Sequence, residues 1–237
     1  MKSAYLLVSH GSRDPRPEVA MQELAELVSQ TFGKINPLVD IAALELQPQP
    51  LHQQIIKFAH SALVAGVGCV EILPLFLLPG VHVKEDIPEQ IALAQQALGD
   101  DMIIKLQPYL GTHPGLVKLF SQEMRRIKAE TTILLAHGSR RPDALQPIEI
   151  LAAKLGAVTA YWAVAPSLES RIQELVAVGK REVAILPYFL FTGGITDAIA
   201  QSIEKLKLQF PTVTFQLAEP LGASAELAEM IGDLINT

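Results

Sequence analysis

The chain contains the same pattern twice. Leu6-Leu7-Val8-Ser9-His10-Gly11-Ser12-Arg13 returns as Ile133-Leu134-Leu135-Ala136-His137-Gly138-Ser139-Arg140. Val70-Glu71-Ile72-Leu73-Pro74-Leu75-Phe76-Leu77 is echoed by Val183-Ala184-Ile185-Leu186-Pro187-Tyr188-Phe189-Leu190, and Tyr109-Leu110-Gly111 by Pro220-Leu221-Gly222. Three echoes in one order mean two copies of one unit, so whatever fold is adopted must close over half of 237 residues, a modest but ordinary domain size. The boundary falls near Lys128 to Glu130, which gives an N-terminal domain of residues 1–127 and a C-terminal domain of residues 128–237.

Within each copy, short β-rich runs alternate with longer amphipathic stretches, the pattern of βα units around a parallel sheet. Strands are expected near 4–9, 39–46, 69–75 and 102–106, and again near 131–136, 158–164, 181–187 and 213–217. Between the first two, Arg16 to Phe32 reads as a helix with Val19, Met21, Leu24, Leu27 and Val28 on its apolar face. The second copy's first crossover is shorter, since His137 to Trp162 replaces His10 to Glu45. The fold class is therefore α/β: two similar domains related by internal duplication, each a parallel sheet flanked by helices.

Composition excludes several partners. Lys and Arg number 19 against 25 Asp and Glu, a net charge of −6 with no basic cluster, which argues against a nucleic-acid backbone as ligand. The lone cysteine, Cys69, sits in an apolar run and reads as a packed thiol; one cysteine permits no disulfide within the chain. Met1-Lys2-Ser3 leads straight into a strand without a cleavage site, and no apolar run reaches the roughly 18 residues of a membrane span. A cytoplasmic protein with no membrane partner is expected.

In open α/β sheets the reactive crevice lies beyond the carboxyl ends of the strands. His10 follows the first strand, Glu45 ends the second, and His82 follows the third after Leu78-Pro79-Gly80-Val81. Two imidazoles and a carboxylate suit a first-row divalent metal, and three protein ligands leave positions open for reaction. A neutral imidazole, with a pKa of about 6.5, can also accept a proton near neutral pH. Gly11 and Gly80 bracket the crevice, where a missing Cβ lets backbone approach a flat ligand, and Ser12 lies at a strand-to-helix junction whose N–H groups suit an anion. Arg13, Arg16 and Lys84, with Arg140 and Arg141 in the second copy, form a cationic rim suited to carboxylates. His113 either lines the crevice or caps the helix after it. His52 and His60, on a helix, read as surface or packing residues.

These residues resemble a known family, the class II tetrapyrrole chelatases of the CbiX and SirB type. The resemblance rests on Val8-Ser9-His10-Gly11-Ser12-Arg13-Asp14-Pro15-Arg16, on Leu44-Glu45-Leu46, and on Pro74 to Pro88 with its Gly80-Val81-His82-Val83-Lys84-Glu85-Asp86-Ile87-Pro88 end. It spans essentially the whole chain and matches the long, two-copy members. It implies two chelatase-like domains with the macrocycle between them, and a lyase-type chelatase that inserts Fe2+ or Co2+ (Ni2+ in vitro) into sirohydrochlorin without ATP, for siroheme or cobalamin biosynthesis. By the same resemblance His10, His82 and Glu45 are the catalytic residues and His10 and His82 the metal ligands. Gly11, Ser12, Arg13, Arg16, Gly80 and Lys84 would meet the carboxylate-rich substrate. No cofactor beyond the substrate metal is implied, and a two-copy chain is expected to be monomeric.

The second copy keeps His137 but is expected to have Trp162 in the place of Glu45 and Gly194-Ile195 in the place of Val81-His82. It thus reads as a degenerate site, with Trp162 stacking or packing. The end of the chain has neither a His-rich tail nor a cysteine motif, which favours iron slightly. Two rival readings fit part of the pattern. A histidine-dependent phosphohydrolase would explain His-Gly-x-Arg but leave His82 and Glu45 idle. A non-enzymatic metal or tetrapyrrole carrier would bind both ligands without accelerating insertion.

Overall fold

The computed structural model describes residues 2–33, 36–141 and 144–235. Two compact units are formed: Met1–His113 together with Ala223–Thr237, and Pro114–Gly222.

The first unit is built on a four-stranded parallel sheet of order β2-β1-β3-β4, with β1 Ser3–Ser9, β2 Val39–Ala43, β3 Cys69–Pro74 and β4 Ile103–Leu106. The crossovers carry α1 Arg16–Thr31, α2 Leu51–Val64 and α3 Ile87–Leu98. Every residue of β3 is buried, as expected of a central parallel strand covered on both faces. On one face Leu6, Val8, Val70 and Ile72 pack with Leu51, Ile55 and Phe58 of α2 and Ala94 and Leu98 of α3. Burying each large aliphatic side chain contributes about 1.5–3 kcal/mol. The sheet also buries a carboxylate: Glu71 in β3 accepts a hydrogen bond of 2.6 Å from Gln107 Nε2, which offsets part of its desolvation. Cys69 is buried, as its apolar surroundings predict.

The second unit repeats this plan with order β6-β5-β7-β8: β5 Thr131–Ala136, β6 Val158–Tyr161, β7 Glu182–Pro187 and β8 Thr214–Leu217. Its helices are α4 Gly115–Arg126, α5 Gln146–Leu155, α6 Leu168–Ala177 and α7 Gly194–Gln209. The last helix, α8 Ala225–Ile235, belongs to the first unit and packs on α1, while α4 packs on α5 in the second. The sequence repeat and the compact units are therefore different divisions of the chain: the helix that closes each copy lies in the unit holding the other copy's sheet. Apolar faces hold both in place. Leu227, Ala228, Met230, Ile231 and Leu234 are buried on α8, and Phe120 of α4 sets its ring 5.4 Å from that of Tyr188.

Local departures from the sequence reading have physical causes. On α1 the buried stripe is Met21, Leu24, Ala25 and Val28, at helical i, i+3, i+4, i+7 spacing; Val19 falls off it and is 53% exposed. β2 stops at Ala43, short of 46, and the chain turns further on through Leu46, a non-glycine residue at φ +61°. β6 stops at Tyr161, short of 164.

Candidate metal centre

Three parallel strands end side by side, and their ends set the site. His10 is the first residue past β1. Two backbone hydrogen bonds continue the pairing beyond β2, from Leu44 N to Ser9 O and from Glu45 N to His10 O, both 2.9 Å, so Glu45 is tied to the residue it faces. Gly11 takes φ +97°, and a Cβ there would lie 2.1 Å from the Glu45 carbonyl oxygen; only glycine permits this approach. After β3, Leu75 N donates to Val8 O at 2.7 Å and the chain runs through Gly80 to His82, the first residue of a five-residue π turn, His82–Asp86. Such wide turns are frequent at functional sites. Behind this loop Gly111 donates to Phe76 O at 2.9 Å, and a Cβ on Gly111 would meet Leu77 O at 2.2 Å.

One donor atom each from His10, Glu45 and His82 lies within 4.8 Å of the others. His10 Nε2 and Glu45 Oε2 are 3.9 Å apart, with both side chains half exposed. The two imidazole rings stand edge to face, centroids 4.8 Å apart, and the Phe76 ring lies 6.4 Å from His10 and 6.1 Å from His82. Donors bound at about 2.0–2.2 Å to a common ion lie about 3–4 Å from one another, so small side-chain rotations close this set around a metal. The centre is open to solvent on one side and backed by an aromatic ring on another. That suits a metal to be taken up and passed on more than a closed structural site.

The rest of the expected site divides. His10 Nδ1 lies 3.3 Å from Gly11 O. Ser12 Oγ accepts from Asp14 N at 3.0 Å and so shapes the turn into α1. Arg16 is engaged with Asp14, its Nε 3.0 and 3.1 Å from the two carboxylate oxygens; the guanidinium holds the Asp14 carboxyl down at about 2. Arg13 and Lys84 are exposed, and a Cβ on Gly80 would meet open space, so nothing in the protein's own packing demands glycine there. His113 immediately precedes Pro114, the N-cap of α4, and its Nε2 lies 3.6 Å from Asp233 of α8. His52 is held by Gln90 at 2.8 Å and His60 is exposed, in keeping with surface and packing roles. Asp86, which the sequence reading did not single out, lies 2.6 Å from His82 Nδ1; the four-residue spacing on a helical turn was the available signal.

In the second unit His137 repeats the His10 arrangement, Nδ1 3.1 Å from Gly138 O, with Gly138 at φ +83°. The register corrects one expectation. Trp162 N donates to Ala136 O and Ala163 N to His137 O, both 2.9 Å, so Ala163, not Trp162, occupies the place of Glu45, and Trp162 matches Leu44. Trp162 is 38% exposed. With Ala163 and Ile195 at the other two positions, the second unit has no matching donor set among the described residues.

Duplicated parallel sheets whose first strand ends in His-Gly-Ser, with a His, Glu, His cluster past the strand ends of one copy, define a chelatase-like protein. The CbiX family profile matches residues 4–127 and again residues 131–237, and the chain belongs to that family. It is 28% identical to a sirohydrochlorin cobaltochelatase of Priestia megaterium over 98% of this chain and 78% of the relative. It is 29% identical to a sirohydrochlorin ferrochelatase of Bacillus subtilis strain 168 over 90% of this chain and 84% of the relative. The solved structure of SirB from Bacillus subtilis with Fe3+ superposes with a TM-score of 0.78 at 25% identity, covering 100% of this chain and 95% of that one. No helix among the described residues is long and apolar enough to cross a membrane.

Proposed function

We infer that this chain is a sirohydrochlorin chelatase, a lyase-type enzyme that inserts Fe2+ or Co2+ into the macrocycle, with the metal as substrate and no ATP. The observation that carries the reading is the convergence of His10, Glu45 and His82 within 4.8 Å at the ends of three strands. Membership of the CbiX family and the similarity to both cobalto- and ferrochelatases support it.

Insertion exchanges one M2+ for two pyrrole N–H protons, so the site must hold a cation and also receive protons. His10 and His82 supply nitrogen donors, and Glu45, its Oε2 3.9 Å from His10 Nε2, supplies a carboxylate that balances the cation's charge. As the metal moves to the ring nitrogens it frees the imidazoles, which then accept the displaced protons and release them to water. Arg13 and Lys84, both exposed, are placed to meet substrate carboxylates. Arg16 assists less, because Asp14 already occupies its fork. The second copy does not insert metal in this account, and the chain acts as a cytoplasmic monomer. The phosphohydrolase alternative would need arginines free to clamp a phosphate, which the Asp14–Arg16 pairing disfavours.

The relatives divide between cobalt and iron, and His, His, Glu ligation does not choose between them. The test is anaerobic insertion followed by sirohydrochlorin absorbance, with Fe2+, Co2+ and Ni2+ supplied separately. Metal-dependent turnover above the enzyme-free rate is expected, and the order of rates ranks the metals. Binding of both ligands without acceleration would replace the enzyme with a carrier.

A further inference from the structure

We propose that Asp86 is a positioning residue for the metal centre: its carboxylate accepts the Nδ1 proton of His82 and so turns the Nε2 lone pair toward the incoming metal. The inference rests on the reading of His10, Glu45 and His82 as that centre. Asp86 is not among the converging donors, yet its Oδ2 lies 2.6 Å from His82 Nδ1, at the short end of hydrogen bonds to an ionised acceptor. A neutral imidazole carries one N–H, so fixing the proton on Nδ1 leaves Nε2 as the ring's only lone pair. A carboxylate behind a ligating histidine also raises its donor strength and holds its plane.

The local fold makes this pairing directional. His82 and Asp86 are the first and last residues of the π turn, which Ile87 N–H closes by donating to His82 O. Ile87 itself is buried and anchors the start of α3, so Asp86 is held between the loop that bears the ligand and a fixed core residue. Asp86 makes no side-chain cap to α3, so this carboxylate is not needed to start the helix. At the matching nitrogen, His10 Nδ1 faces a neutral and more distant acceptor, Gly11 O at 3.3 Å, so the two imidazoles are unlike: His82 is the more firmly oriented ligand at Nδ1.

The experiment titrates Co2+ alone into the full chain under anaerobic conditions, reading its visible d–d absorption, for wild type, Asp86→Asn, Asp86→Ala, His82→Ala and the His82→Ala/Asp86→Ala double variant. Asp86→Ala is expected to weaken Co2+ binding about 10–100-fold, in the range of other outer-shell carboxylates. Asp86→Asn, whose amide oxygen still accepts from Nδ1, should lose less and covers the case in which the alanine variant misfolds. In steady-state insertion the KM for metal should rise while the KM for sirohydrochlorin stays unchanged. In the His82→Ala background, removing Asp86 should cost nothing further. Equal affinity in wild type and Asp86→Ala overturns the inference, as does an equal loss with and without His82, which would mean that Asp86 acts through its charge alone. A wild-type chain that binds no Co2+ would overturn the metal centre itself, a failure distinct from the other two.

Discussion

Replacing Gly11 with alanine tests how the two halves of the donor set are held together. The new Cβ would lie 2.1 Å from the Glu45 carbonyl oxygen, and ordinary contact requires the chains to part by about an ångström. Glu45 is also tied to this segment by its N–H bond to His10 O, so the separation breaks or lengthens that bond and carries the carboxylate away from His10. Holding a non-glycine residue at φ +97° costs about 1–3 kcal/mol and the overpacking a similar amount. A combined loss of about 2–5 kcal/mol lowers Tm by roughly 5–15 °C in a chain of this length. An ångström of misplacement at a reacting centre costs about 100-fold in rate, so insertion by the folded variant should fall by about two orders of magnitude. Calorimetry and the sirohydrochlorin absorbance assay measure the two effects, with Gly68→Ala, whose Cβ would meet nothing within 4 Å, as the stability control. Wild-type Tm and wild-type insertion in Gly11→Ala would refute the argument that this glycine sets the Glu45–His10 geometry.

Two further outcomes follow from the packing and electrostatics. Asp14 is held at about 2 by Arg16, below its unfolded value of about 3.9, so the stabilisation from their pairing is complete above pH 4 and lost as pH falls through 2. In Arg16→Gln, which keeps the backbone N–H bond to Asp14 but removes the guanidinium, the Asp14 carboxyl, followed by carbon NMR, should titrate at a higher pH than in the wild type; an unchanged midpoint would contradict the pairing. Ile231, buried on α8, should cost about 2–5 kcal/mol on replacement by alanine, measured by urea unfolding, although it lies among the last residues of the chain. A neutral substitution would mean that α8 does not pack as described.

The repeat was enough to read two α/β units, because a duplicated strand-His-Gly-Ser pattern constrains topology as well as composition. His10, Glu45 and His82 were legible as neighbours because parallel strands deliver their following residues to one edge. The exchange of α4 and α8 was not legible: an apolar helix face says that it must be buried and nothing about which surface covers it. The match of Trp162 to Glu45 failed by one residue, since only the Ala163 N to His137 O bond fixes the register past the strand end. Val19 was misplaced because apolarity was counted without the angular position that leaves it outside the stripe of Met21, Leu24, Ala25 and Val28. The Asp14–Arg16 pair was not legible because the two lie only two residues apart, closer than helical spacing pairs side chains.

The most direct test of the central claim is the anaerobic rate of metal insertion into sirohydrochlorin by wild type beside His10→Ala, Glu45→Gln and His82→Ala, each checked for folding by circular dichroism. Turnover in the wild type, falling to the enzyme-free rate in both folded histidine variants and strongly reduced in Glu45→Gln, is the predicted result. A folded His82→Ala chain that inserts metal at the wild-type rate would contradict the account.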